Sequence, residues 1–228
     1  MKKLITALNL CVDKHNWREY CHRPFRNGKH LCATNCKMLV CIPNYYLKRS
    51  TLCHYEKIET DIDVQRYIVR AKVSGTKPIR YTLSQLEALF SQAANEPIYG
   101  CKDCSGTGKV VYEYLSRTDD TYELEAKCPI CNGTGIICNI GIQGKKTQTA
   151  FRYATGLPLI SITQTHTLMQ ILKQIGIDTV TITHTDQHSI TILINFDIVI
   201  VVMGIFEDEN VHKNWDIIEP SLCEMLIE

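Results

Sequence analysis

Long apolar runs are missing from this 228-residue sequence. No stretch approaches the ~18 consecutive apolar residues of a membrane-spanning helix, and the strongest run, residues 198–202, has only the length of a strand. No membrane partner is expected. A glycine-rich phosphate loop, a nucleophile elbow and a paired-carboxylate signature are also lacking, so the residues support no catalysis. A signal for export is not convincing either. Met1-Lys2-Lys3 precedes a short apolar run, but Asn9 interrupts it and Leu10 is large where cleavage needs a small residue. Leu4, Leu8, Cys11 and Val12 instead share one helical face, so residues 2–13 are expected as a helix.

Net charge is nearly absent, at +1, but it is unevenly spread. Residues 1–57 hold 11 Lys/Arg against 3 Asp/Glu, and the remainder is acidic. A basic end either attracts phosphates or is a solvated face balanced by the acidic remainder. The candidate phosphate contacts are Lys2, Lys3, Lys14, Arg18, Arg23, Arg26, Lys29 and Lys173.

Cysteine, in contrast, is plentiful, with 12 residues. Four fall in a repeat: Cys101-Lys102-Asp103-Cys104-Ser105-Gly106-Thr107-Gly108, then Cys128-Pro129-Ile130-Cys131-Asn132-Gly133-Thr134-Gly135. Two residues between paired cysteines let both sulfurs reach one tetrahedral ion. The glycines free the backbone to turn its N–H groups toward the sulfurs. Residues 110–114 and 122–126 can pair as a hairpin that brings the two Cys pairs together. Four thiolates suit zinc, and four protein ligands leave no open position, so one structural zinc per chain is expected on Cys101, Cys104, Cys128 and Cys131. A metal held by thiolates needs a reducing compartment. The setting is therefore read as cytoplasmic, and several of the other eight cysteines, such as Cys41, sit in apolar stretches where a buried thiol acts as a small hydrophobe. A second site using Cys32, Cys36 and the histidines around them (His15, His22, His30, His54) is the lesser alternative, because their spacing is less typical of a ligand pair.

The rest of the chain reads as α+β. The Asn27-Gly28 turn predicts a hairpin of residues 20–25 with 29–34, and a third strand covers 37–42. Residues 67–73 alternate and read as a strand. Thr82 with Gln85 forms a capping box that opens a helix. Residues 150–153 and 157–162 read as extended. Thr165 is expected to cap a helix with Leu168, Ile171, Leu172 and Ile175 on one face and Gly176 as its stop. Strands at 179–184, 189–194 and 198–203 then form an antiparallel meander. Residues 207–228, with seven acids and one Lys, read as an acidic extension, Trp215, Ile217 and Ile218 docking on the body.

Two resemblances accompany this reading. The Cys-x-x-Cys-x-Gly-x-Gly doublet resembles the cysteine-rich zinc module of the DnaJ-type co-chaperones. That family carries four such repeats, and its His-Pro-Asp signature is absent here. The resemblance implies a zinc hairpin that contacts a protein partner or unfolded peptide. The second lies in Arg23-Pro24-Phe25-Arg26-Asn27-Gly28 and Leu31-Cys32-Ala33-Thr34-Asn35-Cys36-Lys37-Met38-Leu39-Val40, which are similar to stretches of bacterial sliding clamps (the DNA polymerase III beta subunit). Asn35-Cys36 stands where those clamps have Asp-Gly. Residues 157–205 resemble the clamp's second unit of strand, helix and antiparallel strands. This resemblance implies one discontinuous clamp-like domain of helices packed on antiparallel sheet, residues 1–95 and 140–206, with the zinc-binding β-hairpin module inserted at 96–139. It also implies DNA or a replication protein as partner, and assembly with further copies, since clamp rings hold six such domains. The two function readings are a clamp-like accessory factor of replication and a chaperone-like interaction module.

Overall fold

The structure, a computed structural model, describes residues 2–58, 62–72, 78–95, 99–115, 117, 121–137, 144–186, 188–195, 197–205 and 215–220. Cys138 and Cys223 lie outside them. The chain divides into two compact units, Met1–Ala93 with Gln148–Glu228, and Ala94–Thr147.

In the larger unit the chain runs α1 (Lys2–Asn9), β1 (Phe25–Asn27), β2 (His30–Thr34), β3 (Met38–Pro43), a single turn α2 (Arg49–Leu52), α3 (Val64–Lys72), β4 (Ile79–Thr82) and α4 (Leu83–Gln92). The smaller unit holds β5 (Tyr99–Gly100), β6 (Lys109–Leu115), β7 (Thr121–Lys127) and β8 (Ile136–Ile137). The chain then returns with β9 (Thr149–Phe151), β10 (Ile160–Ser161), α5 (Ile162–Ile175), β11 (Thr179–Asp186), β12 (Ser189–Ile194), β13 (Ile198–Met203) and β14 (Asp216–Ile218).

Seven strands form one antiparallel sheet in the order β1-β2-β3-β13-β12-β11-β4. A helix followed by a three-stranded meander therefore occurs twice, as α1-β1-β2-β3 and α5-β11-β12-β13. The halves join where β3 pairs with β13, Val40 opposite Ile200, and α1 packs on α5. Side chains alternate across each strand, so the sheet buries both faces. Phe25, Cys32, Leu39, Cys41, Val199 and Val201 meet Val64, Ile68 and Ala71 of α3. The alternate residues Leu31, Val40, Ile200 and Val202 are fully buried on the opposite face, where α1 lies against β2. Gln164 fastens α5 to the central strands, its Nε2 donating to the carbonyls of Lys37 (3.1 Å) and Met203 (2.6 Å). A second, three-stranded sheet has the order β10-β9-β14.

The fold is the α+β arrangement expected, with the capping box of Thr82 and Gln85 and the left-handed Gly176 stop in place. Several local expectations are corrected. Residues 67–72 are helical, not a strand: Val64, Ile68 and Ala71 bury one helical face, and Asp63 Oδ1 accepts the Arg66 N–H at the helix start. The apparent alternation arose because the exposed residues between them include Val69, 57% exposed. Thr165 is not a cap but a fully buried helical residue bonded to Tyr153 Oη. Ser161 caps α5 in a second capping box, with Gln164. Residues 20–24 are not a strand, because a 3-10 turn occupies Glu19–Cys21 and Pro24 offers no N–H to a ladder. The hairpin turn sits one residue later than expected: Asn27 pairs with His30, and Gly28 takes the positive φ. α1 ends at Asn9, not 13, since Asp13 N–H is drawn to the Cys21 carbonyl. Residues 216–218, by contrast, dock on the body as expected, pairing in parallel with Thr149–Phe151.

Candidate metal centre and basic residues

Each Cys-x-x-Cys-x-Gly-x-Gly segment folds into the same loop. Gly106 N–H donates to the Cys101 carbonyl and Thr107 N–H to that of Cys104, both at 2.9 Å; Gly133 and Thr134 repeat this on Cys128 and Cys131 at 3.1 Å. The N–H of the last glycine then turns onto sulfur, Gly108 to Cys104 Sγ at 3.2 Å and Gly135 to Cys131 Sγ at 3.3 Å. Thr107 and Thr134 Oγ1 tie off the Cys104 and Cys131 carbonyls. The two loops clasp reciprocally: Cys101 N–H donates to Gly135 O and Cys128 N–H to Gly108 O, each at 2.9 Å.

The clasp gathers four buried sulfurs within 4.8 Å of one another. Cys101 Sγ lies 3.8 Å from Cys128 Sγ, and Cys104 Sγ 3.8 Å from Cys131 Sγ. A tetrahedron of sulfurs ~2.3 Å from a central ion has edges of ~3.8 Å, so the four can hold a metal ion. The loops also prepare the sulfurs for charge. Burial alone would raise the Cys131 thiol, but the Gly135 N–H and the neighbouring sulfurs and amides outweigh it and bring it down to about 6. At Cys101 burial dominates and lifts the thiol to about 11, so an ion would displace its proton.

β6 and β7 rise from this centre in register, Lys109 opposite Lys127 through Leu115 opposite Thr121. Val110 packs on the cysteines. On the same pleat face as Val110 stand Tyr112, Tyr114, Tyr122 and Leu124, exposed by 48%, 63%, 57% and 64%. Composition and spacing located the hairpin but did not single out this apolar face, although the alternate tyrosines are its signal.

The eight basic candidates are spread over several elements. Lys2 and Lys3 stand exposed on α1, and Lys173 on α5, the helix it packs against. Lys3 and Lys173 line one shallow groove with Leu10, Gln170 and Gln174, but Lys173 is paired with Glu87 at 2.5 Å. Lys14 is exposed beyond α1. Arg23 pairs with Glu56 at 2.7 Å. Arg18 is half-buried against the Trp17 ring and Cys36, while Arg26 and Lys29 belong to the β1–β2 hairpin. The alternative second metal site does not assemble, for Cys32 lies opposite Cys41 across the β2–β3 ladder while Cys36 lies beside Cys21. Among the described residues, the group of three or more metal-ligating side chains is the four-cysteine cluster.

No protein-family model matches this chain, and no curated protein matches it. Solved structures of bacterial clamps are similar. The DNA polymerase III subunit beta from Pseudomonas aeruginosa has a TM-score of 0.42 at 14% identity, over 90% of this chain and 63% of that one. The DNA polymerase sliding clamp from the same organism, solved with a ligand, has a TM-score of 0.44 at 15% identity over the same shares. The beta subunit from Thermotoga maritima has a TM-score of 0.41 at 12% identity, over 91% of this chain and 62% of that one. This chain thus spans less than two thirds of the length of each. No helix among the described residues is long and apolar enough to cross a membrane.

Proposed function

We propose that this chain is a non-enzymatic, zinc-binding accessory factor of DNA transactions, organised like a sliding-clamp domain and binding DNA or a replication protein. The observation that supports it is the duplicated helix–meander unit. One half contains the clamp-like stretches 23–28 and 31–40, the other contains most of 157–205, and their helices α1 and α5 lie side by side. Lys2, Lys3 and Lys14 are its phosphate contacts. Cys101, Cys104, Cys128 and Cys131 hold one structural zinc, which clamps the base of the β6–β7 hairpin. The test is the native mass of the zinc-loaded chain with and without duplex DNA, over a range of salt. The expectation is one zinc per chain, a defined oligomer that shifts onto DNA, and a shallow salt slope of about −2 to −3 for three contacts, lost in the Lys2→Glu/Lys3→Glu variant. A monomer that ignores DNA overturns this reading.

The second reading is a protein-interaction or chaperone-like module, and the exposed Tyr112, Tyr114, Tyr122 and Leu124 favour it. Such a contiguous aromatic face is what protein interfaces use. Capture of unfolded peptide that fails in a Tyr114→Ser/Tyr122→Ser variant, without DNA binding, would select it.

A further inference from the structure

The β2–β3 turn is strained at one residue. Cys36 has φ 66, a left-handed conformation that disfavours any side chain and suits glycine. The turn is built to hold it there. Cys36 N–H donates to Thr34 Oγ1 at 3.1 Å, and Asn35 Oδ1 accepts the N–H groups of Lys37 (3.0 Å) and Met38 (2.8 Å). In this pose Cys36 Sγ lies 3.3 Å from Cys21 Sγ, and Arg18 Nη1 donates to it at 3.3 Å. Cys21, at the end of the Glu19–Cys21 turn, is fully buried. Cys36 is half-buried and opens onto a cavity of about 320 Å³ whose walls include Arg18, Arg66, Asp63 and Tyr67. Among the described residues no third metal-ligating atom forms a cluster with the pair.

We propose that Cys21 and Cys36 are a reversible dithiol–disulfide couple whose co-reactant is a low-molecular-weight disulfide bearing carboxylates. Cys36, facing the cavity, attacks as its thiolate. A bond forms between its Sγ and one sulfur of the reagent, the reagent's S–S bond breaks, and the leaving thiolate takes up the proton that Cys36 lost. Cys21 then loses its proton and attacks Cys36 Sγ, breaking the mixed disulfide and releasing the second thiol. Two cysteine thiols are oxidised by two electrons and one small disulfide is reduced to two thiols. The roles follow from exposure: the accessible sulfur attacks and the buried one resolves. Burial, with Cys36 beside it, pushes the Cys21 thiol up to about 12, and the Arg18 guanidinium faces the Cys36 sulfur. Arg18 and Arg66 suit a carboxylate-bearing reagent, with Asp63 limiting how much negative charge the cavity accepts. Bonding requires the sulfurs to close from 3.3 Å to ~2.05 Å.

The test is to equilibrate the zinc-loaded full chain in oxidised and reduced glutathione, alkylate the remaining thiols and map the peptides by mass spectrometry. A Cys21–Cys36 crosslinked peptide, reversed by dithiothreitol, is expected. Cys21→Ser should trap Cys36 as its glutathione adduct, and Cys36→Ser should leave Cys21 unmodified. Arg18→Gln should slow the crosslink about tenfold through loss of a charged hydrogen bond, while Cys53→Ser, at an exposed cysteine, should leave it unchanged. Two outcomes in the unmutated chain would overturn the proposal: both cysteines alkylated as free thiols at a poise where Cys53 already carries glutathione, or a stable Cys36 adduct with no link to Cys21.

Discussion

The two glycines that close the sulfur-binding loops offer a measurement of how tightly the clasp is built. A methyl group at Gly108 would stand 2.9 Å from the Gly133 carbonyl carbon and closer still to its oxygen; at Gly135 it would meet Gly106 in the same way. Both obstacles are backbone, and both carbonyls belong to loops already committed to the cysteines. Gly106 is the control. Its φ of 82 matches the 78 of Gly108, but the nearest atom to an added methyl is Gly135 O at 3.9 Å. Gly106→Ala therefore carries only the left-handed backbone cost of about 1–2 kcal/mol. Gly108→Ala carries that cost plus an overpacking term of about 1–3 kcal/mol. A difference of 1.4 kcal/mol is about tenfold in affinity. Zinc competition with a chromophoric chelator should thus show Gly108→Ala and Gly135→Ala at least about fivefold weaker than Gly106→Ala. Equal affinities for Gly106→Ala and Gly108→Ala would refute the interlock as the source of the site's rigidity.

Other consequences follow from the larger unit. Ser161→Ala and Thr82→Ala each remove a capping box and should cost about 1 kcal/mol in urea unfolding, against no change for the exposed Thr6→Ala. Tyr81 Oη donates to the buried Tyr153 carbonyl, so Tyr81→Phe should destabilise by about 1–2 kcal/mol. Ile200, fully buried at the β3–β13 join, should cost about 2–5 kcal/mol on truncation to Ala. Burial, aided by Lys72 at His30 and by Lys173 at His166, holds both imidazoles below the ordinary 6.5. The unfolded chain then binds more protons just below that value, so stability is fully present above pH 6.5 and falls as the pH drops through it. A urea midpoint that stays constant across that range would contradict this.

What could be read from the sequence was local. The metal loops are legible because their ligands lie two residues apart and their hairpin is one continuous segment. The capping box at Thr82 and the glycine stop at Gly176 are likewise short-range chemistry. The second capping box, Ser161 with Gln164, is equally local in sequence, whereas the Thr165 hydroxyl bonds Tyr153 inside the fold. The failure at α3 has a different cause. Val64, Ile68 and Ala71 are recognisable as a helical face only once the sheet that covers them is known, and both faces of that sheet are apolar.

Tertiary structure alone decided the rest. Pairing β3 with β13 joins residues far apart in sequence, and no local pattern distinguishes that join from an open edge. The same long-range closure sets α1 against α5 and brings β14 beside β9. Cys36 looks in sequence like any turn residue. Its contact with Cys21 exists only because the β2–β3 turn and the Glu19–Cys21 turn are packed together. The sequence by itself determined where a metal can bind and, α3 excepted, most of the helices and meanders, since those depend on spacing and propensity within a few residues. Which surfaces face each other depends on burying two faces of one sheet at once, and only the folded chain settles that.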